Sequence, residues 1–295
     1  MSKLTMNDDF IYANPLTVSA DAVLQRFLQD GYAVLRCEDS DLSGFRAFSE
    51  RFGQCFVSGQ GGGNHGRTPI GADGTIFSAT GAEHLYAIPL HGERYFTANP
   101  PGVLFFYCAN PADHGGETLV CDGTRLYQSL PAHLQELFAG QSITYVRQHE
   151  PKVWREIYRT DSLSEVREIC RQNGIGVETY PDGSISTRYT CSALKNTHRG
   201  TAFINNLLPF AWREVQEGRR YGSYVCFEDG SPIPKEAVLQ IAELGKFHGK
   251  AIRWKSGDIA MIDNRFMLHG REHIDDTRRT IYLRMADKLR QLPLD

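Results

Sequence analysis

Two histidines and one acid are the residues of this chain with the clearest capacity for chemistry. His91 and Glu93 stand two positions apart, and His269 lies far downstream. On an extended segment, residues two apart point to the same side, so both side chains can reach one ion. With His269 from a later strand they would form a face of two histidines and one carboxylate. Such a face leaves three positions of an octahedral iron open for other ligands. The pattern therefore predicts an iron site.

Two further features follow these residues along the chain. The segment Gly115-Gly116-Glu117-Thr118 comes after the first pair, and the pair Arg278-Arg279 comes within one strand's reach of His269. A histidine near a glutamate is a weak signal alone, whereas four features in one order are harder to obtain by chance. The order therefore supports the metal hypothesis.

Composition indicates an ordinary soluble globular chain. It has 295 residues, of which 41% are hydrophobic and 23% are charged, enough for one large domain with a continuous core. The net charge is 32 − 35 = −3, and the basic residues are scattered. We therefore expect a small-molecule substrate, with neither nucleic acid nor a membrane as partner. The sequence leaves the oligomeric state open.

The N-terminus and the cysteines both point to the cytoplasm. Residues 1–9 contain no apolar core of the kind that a signal peptide needs, and no later run is long and apolar enough to cross a membrane. The seven cysteines are odd in number and form no Cys-x-x-Cys pair. We therefore expect reduced and mostly buried thiols rather than disulfides or a structural zinc site.

Hydrophobic periodicity predicts more strands than helices. Helices are expected where apolar residues recur at helical spacing, over 19–30, 42–52, 126–139, 164–172 and 234–247. Ser19 or Asp21 is the expected N-cap of the first helix, and Asp41 is that of the second. Strands are expected over the alternating or β-branched runs 32–37, 85–90, 103–108, 118–121, 143–146, 202–206, 251–254, 259–262 and 280–284, with a hairpin over 177–189. Three tryptophans, Trp154, Trp212 and Trp254, are expected to pack in the core.

A glycine-rich segment interrupts this pattern between Ser58 and Gly74. It contains seven glycines and almost no large apolar side chain, so no packed element is expected there. Loops of this length in compact domains are often lids, and this one directly precedes the His91 segment. We therefore predict that it closes over the site.

The predicted elements favour one domain over residues 1–295, with an N-terminal helical buttress over about 1–55. No internal repeat, low-complexity tract or linker divides the chain. The expected fold is mainly β with flanking helices, as a single sandwich or jelly roll.

The motifs together resemble a known family. Leu90-His91-Gly92-Glu93, the run 99–108, the segment 114–118, and the stretch from Gly257 through His269-Gly270-Arg271 to Arg278-Arg279 are similar to the TauD/TfdA family, also called clavaminate-synthase-like. The resemblance covers roughly residues 85–125 and 250–285. It implies a double-stranded β-helix of the jelly-roll, cupin-like type. It also implies an iron(II)- and 2-oxoglutarate-dependent oxygenase, a non-haem iron dioxygenase that uses O2.

The same resemblance assigns roles to individual residues. His91, Glu93 and His269 match the metal ligands, and Thr118 matches a hydroxyl that contacts 2-oxoglutarate. An arginine after the distal histidine matches the clamp on the co-substrate carboxylate, and Arg279 is the expected one. An arginine fork gives a buried anion a bidentate, permanently charged partner, which a lysine does not.

Two departures from the family pattern qualify this assignment. Many members have Asp where this chain has Glu93, and Glu is typical of the clavaminate-synthase-like branch. A further arginine commonly follows the clamp by an even number of residues, whereas Arg279 and Arg284 are separated by an odd number. In a regular strand these two would lie on opposite faces. A bulge, or Arg278 as the clamp, would resolve the difference, so Arg278, Arg279 and Arg284 all stay candidates.

The activity implied is hydroxylation of an unactivated C–H bond of a small molecule, with release of succinate and CO2. The Glu-type motif favours an amino acid or a natural-product intermediate in biosynthesis. No residue identifies the substrate, or separates hydroxylation from desaturation or cyclisation. The alternative is a protein of the same fold, either a cupin-like isomerase or a metal-binding module, without 2-oxoglutarate turnover. Asn205 and Asn206 are candidates for substrate contacts, although buried amides more often satisfy backbone groups.

Overall fold

The computed structural model describes residues 5–7, 10–58, 69–71, 74–79, 85–220 and 222–290. Within them eight helices are present, namely α1 Ala20–Asp30, α2 Leu42–Phe52, α3 Gly123–Ser129, α4 Ala132–Gly140, α5 Pro151–Tyr158, α6 Leu163–Gln172, α7 Leu207–Glu217 and α8 Lys235–His248. None of the helices in this part of the chain is both long and apolar enough to cross a bilayer.

Strands outnumber helices, as the periodicity predicts. The first ten described are β1 Thr5–Asn7, β2 Phe10–Tyr12, β3 Tyr32–Arg36, β4 Gly53–Phe56, β5 Pro69–Ile70, β6 Ile76–Ser78, β7 Ile88–His91, β8 Val103–Asn110, β9 Thr118–Asp122 and β10 Ile143–His149. The others are β11 Gly176–Thr179, β12 Ile185–Cys191, β13 Leu194–Thr197, β14 Gly200–Phe203, β15 Tyr224–Phe227, β16 Lys250–Ile252, β17 Ile259–Asp263, β18 Met267–Arg271 and β19 Thr280–Leu289. The protein is therefore mainly β with helices, as expected.

Two of the sheets matter most for the site. The larger one in the described residues runs in the order β1-β2-β3-β17-β8-β19-β6-β5, with β4 also paired to β19. The second, called the four-stranded sheet below, has the order β16-β9-β18-β7. One core cluster joins buried side chains from both, such as Leu104 and Phe106 of β8 with Val120 of β9 and Leu268 of β18. The larger sheet and the four-stranded sheet therefore share a hydrophobic core.

Helix ends follow the local signals closely. Ser19 accepts a hydrogen bond from the Ala22 amide at the start of α1, and Gly31 ends that helix in the left-handed region. Asp41 accepts from the Gly44 amide at the start of α2. These caps satisfy amides that a helix leaves without partners, which explains why the sequence predicts both helices. The expected N-terminal buttress therefore contains α1 and α2, together with the strands β1 to β3 of the larger sheet.

Several predictions about elements are wrong in part or incomplete. The helix predicted over 126–139 is two helices, because Leu130 precedes Pro131 and takes an extended conformation. The strand predicted to end at Asn206 stops at Phe203, and Asn206 is the N-cap of α7, a helix that the sequence does not predict. The helix α5, which begins at a proline, is also missed.

A further correction concerns the glycine-rich segment. Within 58–74, where no element is expected, β5 pairs with β6 through Ile70 opposite Ile76. Residues 59–68, 72 and 73 lie outside the described residues, and with them most of the predicted lid. The expectation that reduced thiols are mostly buried is confirmed, since five of the seven cysteines are buried and only Cys55 is exposed.

Candidate metal and anion site

The two predicted histidines face each other across neighbouring strands. His91 ends β7, His269 lies at the centre of β18, and the two are directly paired in the ladder. Their ring centroids are 4.3 Å apart. Gly270 permits this close approach, because a Cβ there would lie 2.7 Å from the carbonyl oxygen of Ile88 on β7. The glycine after His269 thus lets β7 and β18 pair closely at the site.

Glu93 completes the cluster, but from a different position than the sequence suggests. It lies in the turn that follows β7 and not on an extended strand. Its backbone is held by Asn264, whose Oδ1 accepts from the Glu93 amide at 2.8 Å and whose Nδ2 donates to the Glu93 carbonyl at 3.1 Å. Asn264 is a positioning residue that sequence reasoning did not single out. Its place in the Asp263-Asn264 turn between β17 and β18 is the signal that could have indicated it.

The three side chains have the geometry of a cation site. One ligand atom from each of His91, Glu93 and His269 lies within 4.8 Å of the others. Glu93 and His269 are only 4% and 5% exposed. The His269 Nε2 atom is 3.5 Å from Glu93 Oε2, and its buried Nδ1 has no hydrogen-bond partner among the described residues. Two imidazoles and one carboxylate that converge on one point are a donor set that suits a divalent metal, so the cluster fits such an ion.

A contact with the backbone orients the ring of His91. His91 Nδ1 is 2.9 Å from the carbonyl oxygen of Pro89, which can only accept, so Nδ1 carries the proton. That tautomer leaves the lone pair of Nε2 for a metal, and such a backbone contact is the usual way in which proteins fix a ligating imidazole. The sequence Pro89-Leu90-His91 therefore orients the ring as well as supplying it.

A cavity of about 70 Å³ adjoins this cluster. Its polar lining includes His91, His269, Thr118, Arg271 and Arg279. Thr118 begins β9, which pairs with β18 so that Thr118 lies directly opposite Arg271. Thr118 and both arginines are at most 8% exposed. The metal cluster and a pair of buried guanidiniums therefore share one small cavity.

Arg279 enters the cavity along the double glycine. Its Nε donates to the carbonyl oxygen of Gly116 at 2.9 Å. Gly116 has a φ of +72°, and a Cβ there would lie 3.0 Å from Arg279 Cδ, so glycine suits this position on both counts. Burial, and then the positive charge of Arg271, lower the pKa of Arg279 to about 10. Two buried cations that destabilise each other form a place for an anion.

The other two candidate arginines lie elsewhere. Arg278 is exposed and pairs with Asp113 and Asp276 at the surface. Arg284 is buried on the far side of β19, where it bonds to Glu50 and Ser49. The ladder between β8 and β19 slips by one residue next to Thr280, but Arg279 and Arg284 still lie on opposite faces, as their odd spacing predicts. Of the three, the structure places Arg279 alone in the cavity.

Arg271 of the His269-Gly270-Arg271 motif lines the cavity, although the sequence predicts no role for it. Its Nη2 donates to the carbonyl oxygen of Tyr86 at 2.7 Å. It follows His269 by two residues, and alternation along β18 could have placed both on one face. The remaining candidates are Asn205 and Asn206. Asn205 satisfies backbone groups of Ala193 and Leu207, and Asn206 is buried without lining this cavity.

A larger cleft lies apart from the site. His65 and His84 lie outside the described residues. A cleft of about 720 Å³ opens between His149, Tyr180 and Gly222, and it shares no lining residue with the 70 Å³ cavity. We assign the chemistry to the smaller cavity, because the candidate ligands converge there.

Comparison with known proteins agrees with this geometry. The family described as "Taurine catabolism dioxygenase TauD, TfdA family" matches residues 3–286. The chain is 24% identical over 219 residues to the dapdiamide synthesis protein DdaC of Enterobacter agglomerans, covering 69% of this chain and 67% of that protein. It is 26% identical over 226 residues to a clavaminate synthase-like protein of Arabidopsis thaliana, covering 70% of this chain and 68% of the other.

One solved structure shows the same fold. It is PvcB, described as an Fe, alpha-ketoglutarate dependent oxygenase from an isonitrile synthetic pathway. The TM-score is 0.56 with 16% sequence identity, over 93% of this chain and 85% of that one. The overall arrangement of sheets and helices is therefore shared at low sequence identity.

Proposed function

The chain belongs to the TauD/TfdA family of non-haem iron(II)- and 2-oxoglutarate-dependent dioxygenases, and from that premise we propose that it hydroxylates an unactivated C–H bond of a small molecule. The reaction would release succinate and CO2. The observation that carries the proposal is the shared cavity, in which a cluster fit for a divalent metal adjoins a buried pair of arginines.

His91, Glu93 and His269 are the residues proposed to hold the iron. Two neutral imidazoles and one carboxylate suit iron(II), and together they occupy one face of it. When bound, the metal supplies the oxidation chemistry through O2 and 2-oxoglutarate. The protein contributes the positions of the ligands, through the Pro89 contact to His91 and the Asn264 contacts to Glu93.

Arg279 and Thr118 are proposed to bind the distal carboxylate of 2-oxoglutarate. Arg279 donates its Nε hydrogen to the Gly116 carbonyl. The N–H groups of its two terminal nitrogens are therefore proposed to donate to the carboxylate. A carboxylate beside a guanidinium in a buried cavity forms short, charge-assisted hydrogen bonds. Arg271, opposite Thr118, adds positive charge to the same end of the cavity.

The substrate class that we propose is an amino acid or a natural-product intermediate. Support comes from the names of two similar proteins, one from dapdiamide synthesis and one from an isonitrile synthetic pathway. We also propose that the larger sheet and the four-stranded sheet form a double-stranded β-helix within a single domain of residues 1–295. Their shared core cluster supports this arrangement.

Succinate release with a panel of amino acids tests the proposed activity. The iron(II)-loaded protein is given 2-oxoglutarate and O2, with and without each amino acid. At least one should accelerate succinate formation and gain one oxygen atom, as seen by mass spectrometry. If the amino acid that stimulates turnover loses two hydrogens instead, the reaction is desaturation and not hydroxylation. If no member of the panel stimulates turnover, the proposed amino-acid class is wrong.

A further inference from the structure

Arg147 of β10 lies beside the turn that carries Glu93. Its guanidinium carbon is 4.7 Å from the ring centroid of Phe96, which follows Glu93 by three residues. Arg94, the residue directly after Glu93, is 7% exposed. Burial lowers the pKa of Arg147, and the positive charge of Arg94 lowers it further. Two guanidiniums therefore lie close together next to the proposed carboxylate ligand.

A second contact shows that this face of β10 points toward the metal cluster. Tyr145 precedes Arg147 by two residues, so both side chains lie on one side of the strand. The Tyr145 hydroxyl accepts from the Asn206 amide at 2.7 Å. The residue before Asn206 accepts, through its carbonyl oxygen, from the Gly92 amide at 2.9 Å. Gly92 separates two of the proposed metal ligands, so β10 follows the turn between them.

Arg147 has no carboxylate partner among the described residues. Besides Arg94, the groups that act on its pKa are the phenol of Tyr158 and the thiol of Cys170. No group in the described part of the chain accepts a hydrogen bond from its guanidinium. A guanidinium stays charged, and a buried charge is costly unless it is paired. Arg147 nevertheless retains accessible surface, so a ligand can reach it.

We propose that Arg147, supported by the charge of Arg94, binds a carboxylate of the substrate beside the metal, so that the substrate is a free acid and not an amide, ester or thioester. The inference rests on the proposed function and adds the group by which the substrate is recognised. A carboxylate accepts two parallel charge-assisted hydrogen bonds from an arginine fork, whereas the neutral derivatives form no ion pair. Neither arginine lines the 70 Å³ cavity of Arg271 and Arg279, so this site is distinct from the one proposed for 2-oxoglutarate.

The test compares each amino acid of a panel with its α-carboxamide. Succinate release is measured on the iron(II)-loaded protein with 2-oxoglutarate and O2. The free acids should stimulate turnover at far lower concentrations than their carboxamides. In Arg147→Met the KM of a stimulating acid should rise about 30-fold, as expected for the loss of a charged hydrogen-bonding partner, with little change in kcat. Arg147→Lys retains the charge and should recover part of the loss.

A matched control lies on the neighbouring strand. Arg188 of β12 pairs with Val146, next to Arg147, and is exposed. Arg188→Met should therefore leave the KM of the acid as in the wild type. The KM of the carboxamide should be the same in all of these variants, because a carboxamide forms no ion pair with Arg147.

A binding measurement gives an answer that does not depend on turnover. Benzoate and benzamide are titrated without O2 into the iron(II)-loaded Arg279→Leu protein, which lacks the proposed 2-oxoglutarate clamp, and the unfolding temperature is recorded. An aromatic acid suits Arg147, which lies over Phe96 with Phe210 6.1 Å beyond. Benzoate should raise the unfolding temperature more than benzamide, and adding Arg147→Met should remove this difference.

The outcomes separate this inference from the function beneath it. If the wild-type protein does not bind 2-oxoglutarate, the proposed function fails, and the benzoate comparison still decides whether Arg147 binds a carboxylate. If carboxamides stimulate turnover as well as acids do, or if folded Arg147→Met leaves the KM of the acid unchanged, the inference is overturned and the function stands. If no panel member stimulates turnover, equal effects of benzoate and benzamide overturn it.

Discussion

The side-chain amide of Asn264 bonds to both backbone polar groups of Glu93, through contacts of 2.8 Å and 3.1 Å. A third bond, from Nδ2 to the carbonyl oxygen of Pro101 at 2.7 Å, ties the same amide to the segment before β8. Asn264 has no exposed surface, and Tyr95 donates to its backbone carbonyl at 2.8 Å. The turn that carries the proposed carboxylate ligand is therefore fixed by a residue from between β17 and β18.

Asn264→Ala should weaken iron(II) binding without removing any ligand. Loss of the amide removes two bonds to the Glu93 backbone, and residues that orient metal ligands typically contribute about 10- to 100-fold in affinity. Calorimetric titration of the apoprotein with iron(II), without O2, measures the effect. An unchanged affinity in a folded Asn264→Ala protein would show that Glu93 does not need this support.

His269→Ala should abolish tight iron(II) binding while leaving the fold largely intact. Two remaining ligands rarely hold a labile divalent metal, and the side chain has no hydrogen-bond partner at Nδ1 to lose. Metal stoichiometry after gel filtration is the measurement, with circular dichroism to verify folding. His133→Ala, at an exposed position on α4, is the matched control and should keep full stoichiometry. Retained stoichiometry in His269→Ala would remove His269 from the site.

Arg279→Leu should weaken 2-oxoglutarate binding by about 3 kcal/mol, because the carboxylate would lose its charged partner in a buried cavity. Iron(II) affinity should stay close to that of the wild type, since Arg279 is not among the proposed ligands. Arg278→Leu is the matched neighbour and should not change 2-oxoglutarate affinity, because Arg278 is exposed and paired with Asp113 and Asp276. The reverse pattern would assign the clamp to Arg278.

Arg284→Leu should change stability and leave 2-oxoglutarate binding unaltered. Arg284 is 3% exposed, bonds to Glu50, Ser49 and Thr75, and lies 3.7 Å from the ring centroid of Phe56. Its removal should lower the free energy of unfolding by about 2 kcal/mol, less than for a fully buried pair because Glu50 is half exposed. Urea denaturation checks this value, with Arg278→Leu, expected to cost under about 1 kcal/mol, as the surface comparison. Weaker 2-oxoglutarate binding by a stable Arg284→Leu protein would contradict the placement.

The sequence alone determined the features of this protein that have local causes. The ends of α1 and α2 follow from Ser19, Gly31 and Asp41, because a cap acts within one turn of its own residue. The order of His91, Glu93 and His269 was enough to predict a metal site, since the chemistry of the donors belongs to the residue types.

Only the tertiary structure decided which residues meet. Alternation along a strand separates Arg279 from Arg284, but it cannot say which face is inside, because that depends on the sheet packed against it. The bond from Asn264 to the Glu93 turn and the bond from Trp254 to Thr118 each join segments that are far apart in sequence. Such contacts leave no periodic signal, so they emerge only when the larger sheet and the four-stranded sheet close on their common core.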